Sequence, residues 1–293
     1  MTIYEGLAML RIAVPNKGSL SGPAAAILHE AGYRQRSDGK ELVVVDAEND
    51  VEFFYLRPRD IAIYVGSGRL DVGITGRDLL IDSQAPADEV MALGFARSTF
   101  YFAGVPGTAS CVAELAGKAI ATSYPKLVAK HFADNGVEPG KIVRLDGAVE
   151  TSLRLGVADV IADVVETGST LARLGLATIA DPILCSEAVV IRPRAEDRQV
   201  EEDQVARFLR RLESVLVARN YVMMDYNVHD DDLDRAVAIT PGLESPTVSP
   251  LHSAGWSAVR AMVPAESAQA VMDQLEAAGA RAVLATRIHS CRI

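Results

Sequence analysis

Residues 156–171 read GVADVIADVVETGSTL, and this stretch decides the fold class. Val157, Val160, Ile161, Val164 and Val165 make a β-branched run of the kind that fills a strand buried on both faces of a parallel sheet. The run leads straight into Thr167-Gly168-Ser169-Thr170 and the start of a helix. Strand, glycine-hydroxyl loop and helix in immediate succession form one βα unit, and open α/β sheets bind their ligands at that end of the strands. Gly168 lets the backbone bend so that consecutive N–H groups face one concavity, while the hydroxyls of Thr167, Ser169 and Thr170 add donors and the helix start favours an anion. An acid just upstream suits the hydroxyls of a ribose, and the strand carries two, Asp159 and Asp163. Asp159 and Asp163 also suit solvated strand positions, and the loop also suits a plain turn with a helix cap. Spacing alone therefore leaves a phosphate cradle and an ordinary corner both open.

Upstream the same alternation recurs. A strand at residues 10–15 ends in NKGSL, followed by the helical GPAAAILHEAG, the strands ELVVVDA and VEFFYLRP, the helix RDIAIYVGSGRL and the strand DVGITG. From about Phe95 the pattern restarts with the strand FARSTFYFAGVP, the helix-like VAELAG, strand KAIATS, helix YPKLVAKHFADNG, strand IVRLDG and helix VETSLRLG. CSEAVVIRPR reads as a strand returning to the first lobe. The expectation is a two-lobed α/β core with largely parallel sheets, lobe I taking residues 1–95 and 185–200 and lobe II residues 96–184. A charged helix at 201–219 then connects to residues 220–293, whose βαββαβ order predicts a ferredoxin-like domain.

Composition narrows the partners. The formal charge is 29 − 39 = −10 with basic residues scattered, which argues against a nucleic-acid groove but not against anionic small molecules held by local donors. No apolar run reaches membrane-spanning length and residues 1–14 lack the features of a signal peptide, so no membrane partner and a cytoplasmic setting are expected, with translation starting at Met1 or Met9. The three cysteines, Cys111, Cys185 and Cys291, are far apart and read as reduced and structural. GxxxxGK[ST] does not occur, and Gly66-Ser67-Gly68 reads as a turn. His229-Asp230-Asp231-Asp232 reads as an acidic helix start more than as a metal site.

Seven segments in fixed order then carry a family resemblance: VPNKGSL (14–20), FYLRPRDI (54–61), LDVGITGRDLL (70–80), IATSYPKLV (120–128), LDGAVE (145–150), DVIADVVETGSTL (159–171) and ITPGLESPTVSPL (239–251). The chain resembles the ATP phosphoribosyltransferases, long form, which open histidine biosynthesis by joining phosphoribosyl pyrophosphate to N1 of ATP with release of pyrophosphate. The resemblance implies lobes of the type II periplasmic-binding-protein kind, an ACT-like regulatory domain that binds L-histidine as feedback inhibitor, a requirement for Mg2+, and a homo-oligomer that interconverts between dimer and hexamer.

Carried over by position, Glu166, Thr167, Gly168, Ser169 and Thr170 are expected at the 5′-phosphate, with Asp163 on the ribose. Lys17 and Arg57 resemble the cations that face pyrophosphate and nucleotide phosphates. Arg77, Asp78, Tyr124 and Glu150 resemble the ATP side of the cleft. Leu243, Ser245, Thr247 and Ala282, with Asn227, are expected at the histidine pocket. Asn227 stands where close relatives carry an acid, so weaker feedback is expected, because an amide hydrogen-bonds without supplying charge. No Mg2+ ligand and no general base follow from the motifs. Two rivals share parts of this pattern. A solute or effector receptor would need an export signal or a helix-turn-helix, and a phosphoribosyltransferase for another base leaves NKGS, TGRD and ATSYP unexplained.

Overall fold

The computed structural model describes residues 9–165, 169–194 and 202–293. They fall into two compact units, the first holding residues up to 26 and 33–205, the second residues 27–32 and 206–293. In chain order the elements are β1 (Leu10–Pro15), α1 (Ser21–Glu30), β2 (Val43–Asp46), β3 (Val51–Leu56), α2 (Pro58–Gly66), β4 (Val72–Gly76), α3 (Arg77–Ser83), β5 (Ala87–Ala92), β6 (Ser98–Gly104), β7 (Ala119–Thr122), α4 (Pro125–Asp134), β8 (Lys141–Arg144), α5 (Thr151–Arg154), β9 (Val160–Val165), α6 (Ser169–Arg173), β10 (Ala177–Ser186) and β11 (Ala188–Pro193).

The first unit contains two sheets, with orders β2-β3-β1-β4-β11-β5 and β10-β6-β9-β7-β8. With the hairpin strand β2 set aside, the first sheet runs second, first, third, return, fourth. That is the order of a two-lobed type II periplasmic-binding fold. Strand β11 arrives from the second lobe and pairs antiparallel with both β4 and β5. In β1, Ile12, Ala13 and Val14 are fully buried, as expected of a central strand covered on both faces. Gly73 lets α2 lie close on β4, since a Cβ there would stand 2.6 Å from Ile61 Cγ2 and 2.8 Å from Val65 Cγ2. The second lobe packs Phe100, Phe102, Ile120, Leu127, Val128 and Phe132 into its own core.

Several expectations need correction. The sheets are mixed: β1 is parallel to β3 and β4, and β7 to β8 and β9, whereas β2, β6, β10 and β11 pair antiparallel. Strands β5 and β10 were not foreseen, because both are edge strands without an apolar run. Strand β5 carries Asp88 and Glu89, and β10 contains Pro182 beside a register shift between Ile179 and Leu184. VAELAG forms only a 3-10 turn, Val112–Leu115. Cys111 and Cys185 are exposed, so they are not core packers. Gly66 to Gly68 is the expected helix-to-strand turn, with Gly68 at φ +67°.

Beyond it come α7 (Glu202–Asn220), β12 (Tyr221–His229), α8 (Leu233–Ile239), β13 (Thr247–Pro250), β14 (Trp256–Pro264), α9 (Ala268–Ala277) and β15 (Arg281–Arg287). From residue 206 onward α7 belongs to the second unit, where its Arg219 guanidinium donates to both oxygens of Glu30 at 2.9 and 2.8 Å. The sheet order β13-β14-β12-β15, antiparallel throughout, is that of a ferredoxin-like domain. Helices α8 and α9 cover one face, Leu275 of α9 packing in one core with Met224, Tyr226, Val228 and Val259 of the sheet. The acidic run after His229 starts α8: Asp230 accepts from Ser257 Oγ at 2.8 Å and Asp232 from Arg235 at 3.0 Å.

Candidate active site

Six of the seven sequence segments span or directly follow the C-terminal ends of β1, β3, β4, β7, β8 and β9, where an α/β sheet presents its loops. Between the two lobes the loops after β1, β3, β4 and β7, with Val164 near the end of β9, line a cleft of about 210 Å3. Lys17, Gly18 and Ser19 line it from the loop after β1, Asp78 from α3, Tyr124 from the tip of β7, and Val164 from β9. The crossover segments add Ala96, Ser98, Ser186 and Glu187.

Lys17 is exposed at the cleft, and among the described residues no carboxylate pairs with it. Arg57 is exposed too and likewise unpaired among them. It caps α2 by backbone position, next to Pro58, which lines the cleft. Arg77 is placed differently. Its guanidinium donates to both oxygens of Glu89, at 2.8 and 2.7 Å, and reaches Glu187 at 3.4 Å, so it ties α3 to β5 and to the start of β11. These partners hold its pKa above the usual arginine range, and it does not line the cleft.

Asp78 is buried in the first turn of α3, where its charge suits the helix dipole. Ser186 Oγ donates to Asp78 Oδ1 at 2.8 Å and accepts from the Asp78 amide at 3.1 Å. Gly76 is required beneath it, because an added Cβ would strike the Asp78 carboxylate. Burial, with the Asp78 charge beside it, pushes the Tyr124 hydroxyl far above the usual phenol value. Tyr124 is therefore a donor and an aromatic face, not a base. Its ring meets Phe100 edge-on at 5.1 Å and carries the Arg59 guanidinium 4.9 Å above its centre.

Asp163 is half-buried in β9 and accepts from the Val164 amide at 2.8 Å. Burial raises its pKa above the ordinary aspartate value, the Val164 hydrogen bond opposes this, and the charges of Glu150 and Asp78 add to the rise. Asp159 instead accepts from the Ala119 amide at 2.8 Å and splices β9 to β7. Glu166, Thr167 and Gly168 lie outside the described residues. Ser169 and Thr170 begin α6 in their backbone.

In the second unit, Asn227, Thr247 and Ala282 line a separate cleft of about 380 Å3 together with Asp225, Ser249 and Arg260. Arg260 Nε donates to Asp225 Oδ1 at 2.6 Å. Ala282 is left-handed at φ +50°, where the β12 and β15 ladder shifts register between Asp225 and Asn227. Leu243 and Ser245 lie in the turn before β13 and do not line this cleft.

Ser186, Glu187, Ser98, Arg59 and Asp82 were not singled out in the sequence. Asp82 carried the clearest signal, standing one helical turn after Asp78 on the same face of a short apolar helix.

Fold and cleft together define a two-lobed α/β protein whose lobes meet at a cleft lined by Lys17, unpaired among the described residues, and the buried Asp78. A family model for the HisG proteins, ATP phosphoribosyltransferase, matches residues 57–214, and one for the HisG C-terminal domain matches residues 218–290. The chain belongs to the ATP phosphoribosyltransferase family, in its long form. ATP phosphoribosyltransferases of Streptomyces avermitilis and Streptomyces coelicolor are 66% and 64% identical over 286 residues, covering 97% of this chain and 100% of each relative. The solved ATP phosphoribosyl transferase (HisG:HisZ) complex from Thermotoga maritima superposes with a TM-score of 0.61 at 26% identity, covering 71% of this chain and 99% of the solved one. The activity is that of the family: a pentosyltransferase that acts on ATP and phosphoribosyl pyrophosphate in the first step of histidine biosynthesis.

Proposed function

We propose that the interlobe cleft holds phosphoribosyl pyrophosphate on the second-lobe side, its 5′-phosphate on the Glu166–Thr170 loop and its ribose hydroxyls on Asp163, with ATP entering against Asp78, Tyr124 and Glu150. N1 of adenine attacks the anomeric carbon, the bond to pyrophosphate breaks, and the electron pair leaves with it. Positive charge develops on the ribose and negative charge on the leaving group, so cations are needed where the pyrophosphate departs. The observation that carries this reading is Lys17, a cleft-lining ammonium without a carboxylate partner among the described residues; Arg57, exposed and likewise without a carboxylate partner among them, precedes the cleft-lining Pro58. Ring N1 already bears a lone pair, so no side chain need act as a base. Arg77 contributes by holding α3 in place, since its guanidinium is already engaged.

Among the described residues no three of His, Cys, Asp and Glu converge into a metal cage. Mg2+ is assigned chiefly to the substrate's phosphates, whose hard anionic oxygens suit it, and Asp163 or Glu150 would be the carboxylate that completes its coordination. The ion would supply charge neutralisation at the leaving group.

The second-unit cleft around Asn227, Thr247 and Ala282 is the pocket we assign to L-histidine. The side chains of Asn227, Thr247 and Ser249 and the Asp225–Arg260 pair in its lining suit a zwitterionic amino acid. A homo-oligomer of dimers and hexamers, in the cytoplasm where both substrates are made, completes the proposal. The chain has three free cysteines and, among the described residues, no helix long and apolar enough to cross a membrane.

Pyrophosphate release from phosphoribosyl pyrophosphate tests the reading, with ATP compared against adenine, guanine and orotate as acceptor. Release with ATP alone, suppressed by histidine, is expected. Equal release with a free base would overturn the placement of ATP, and indifference to histidine would overturn the regulatory pocket.

A further inference from the structure

Tyr124 stands at the tip of β7, immediately before α4, and two observations show that its position is set from the opposite lobe. The first concerns the helix start. Tyr124 is the N-cap of α4 by backbone position but makes no side-chain cap, leaving the amides of the first turn without a local acceptor. Asp82, on α3 of the first lobe, supplies it: Oδ1 accepts from the Lys126 amide at 2.9 Å and from the Leu127 amide at 3.1 Å. The second concerns the ring. Asp82 Oδ2 accepts from Arg59 Nη1 at 3.0 Å, and that same guanidinium lies 4.9 Å over the Tyr124 ring.

Asp82 is itself 7% exposed and sits in the last turn of α3, where a carboxylate opposes its own helix dipole. Its charge is offset by Arg59 and by the start of α4. One carboxylate thus fixes both the backbone that carries Tyr124 and the cation that covers its face.

We propose that Asp82 is a positioning residue for the nucleotide side of the cleft, acting through Arg59 and the first turn of α4 to hold Tyr124 where ATP is bound. This rests on the reading that Tyr124 faces ATP. Asp82 touches neither substrate. Losing it frees the α4 start and the Arg59 head together, so the ring loses its fixed orientation while the second-lobe phosphoribosyl side is left intact.

Steady-state kinetics of the full chain test this with Asp82→Ala, Asp82→Asn, Tyr124→Ala and the Asp82→Ala/Tyr124→Ala double variant. Asp82→Ala is expected to raise the KM for ATP about tenfold while the KM for phosphoribosyl pyrophosphate stays within about twofold. Asp82→Asn keeps an acceptor for the two amides and loses the charge toward Arg59, so an intermediate rise is expected. Should the alanine variant fail to fold, the asparagine variant carries the test. In the Tyr124→Ala background, Asp82→Ala should add less than about twofold, because the residue through which it acts is gone. Equal KM rises for both substrates, or an undiminished effect without the tyrosine, would overturn the inference and leave Asp82 a structural cap. An unchanged KM for ATP in Tyr124→Ala would overturn the underlying reading of Tyr124, and this inference with it.

Discussion

At the scale of the residue, the acids of the cleft differ by environment more than by type. Asp78 is buried with a hydroxyl partner, Asp82 is buried with an arginine and two amides, and Asp163 has mainly burial and one amide. For Asp163 the raised pKa has a definite sign. Between the ordinary aspartate value and the raised one, the folded chain binds more protons than the unfolded chain, so stability falls as pH rises through that window. Asp163→Asn should therefore raise the melting temperature at neutral pH while lowering kcat roughly 100-fold, an exchange of function for stability that calorimetry and kinetics on one preparation would show. The acid limb of kcat/KM should lie above the ordinary aspartate value and vanish in the same variant. Lys17→Met and Arg57→Met should each lower kcat/KM by roughly 100-fold or more with little change in melting temperature, since neither side chain has a carboxylate partner among the described residues to lose. Lys17, Asp78 and Tyr124 were legible because short motifs name them. Ser186 and Asp82 were not, because their partners lie 108 and 44 or 45 positions away and no local spacing reports that.

At the scale of the element, periodicity revealed what buries an apolar face and missed what does not. Strands β1, β4, β9 and β11 announced themselves through short apolar runs rich in β-branched residues, and helices α2, α4 and α9 through amphipathic spacing. The edge strands β5 and β10 carry acids, a proline and alternate exposures, so nothing in their composition separates them from loops. The mixed character of both sheets was equally hidden, since strand direction depends on the crossover and not on the strand's own residues. One junction tests how closely element ends are fitted. Gly76→Ala puts a methyl group against the Asp78 carboxylate, and a loss of about 1–3 kcal/mol in denaturant unfolding is expected, together with a weaker ATP KM. Full stability in that variant would show that α3 can shift without consequence.

At the scale of the whole molecule, the C-terminal unit has its own sheet, core and cleft, and its ferredoxin-like order was readable from the alternation of strands and helices. Histidine titrations should find Asn227→Asp inhibited at about tenfold lower concentration than the parent, because a charged acceptor replaces a neutral one. Equal inhibition would remove Asn227 from the pocket's energetics. The wedged return strand of the first sheet bears on how the chain is born. Val190 sits beside Ile74, 116 positions earlier in the chain, and β5 on its other side cannot be seated until β11 arrives. A ribosome adding roughly 5–20 residues per second leaves that gap open for about 6–23 s. During that interval the nascent N-terminal lobe is an unfinished sheet with an apolar slot between β4 and β5, one strand in from its edge. Nascent chains arrested before residue 188 should be cleaved by protease across residues 70–95 and should bind chaperones, and both properties should disappear once the return strand has emerged.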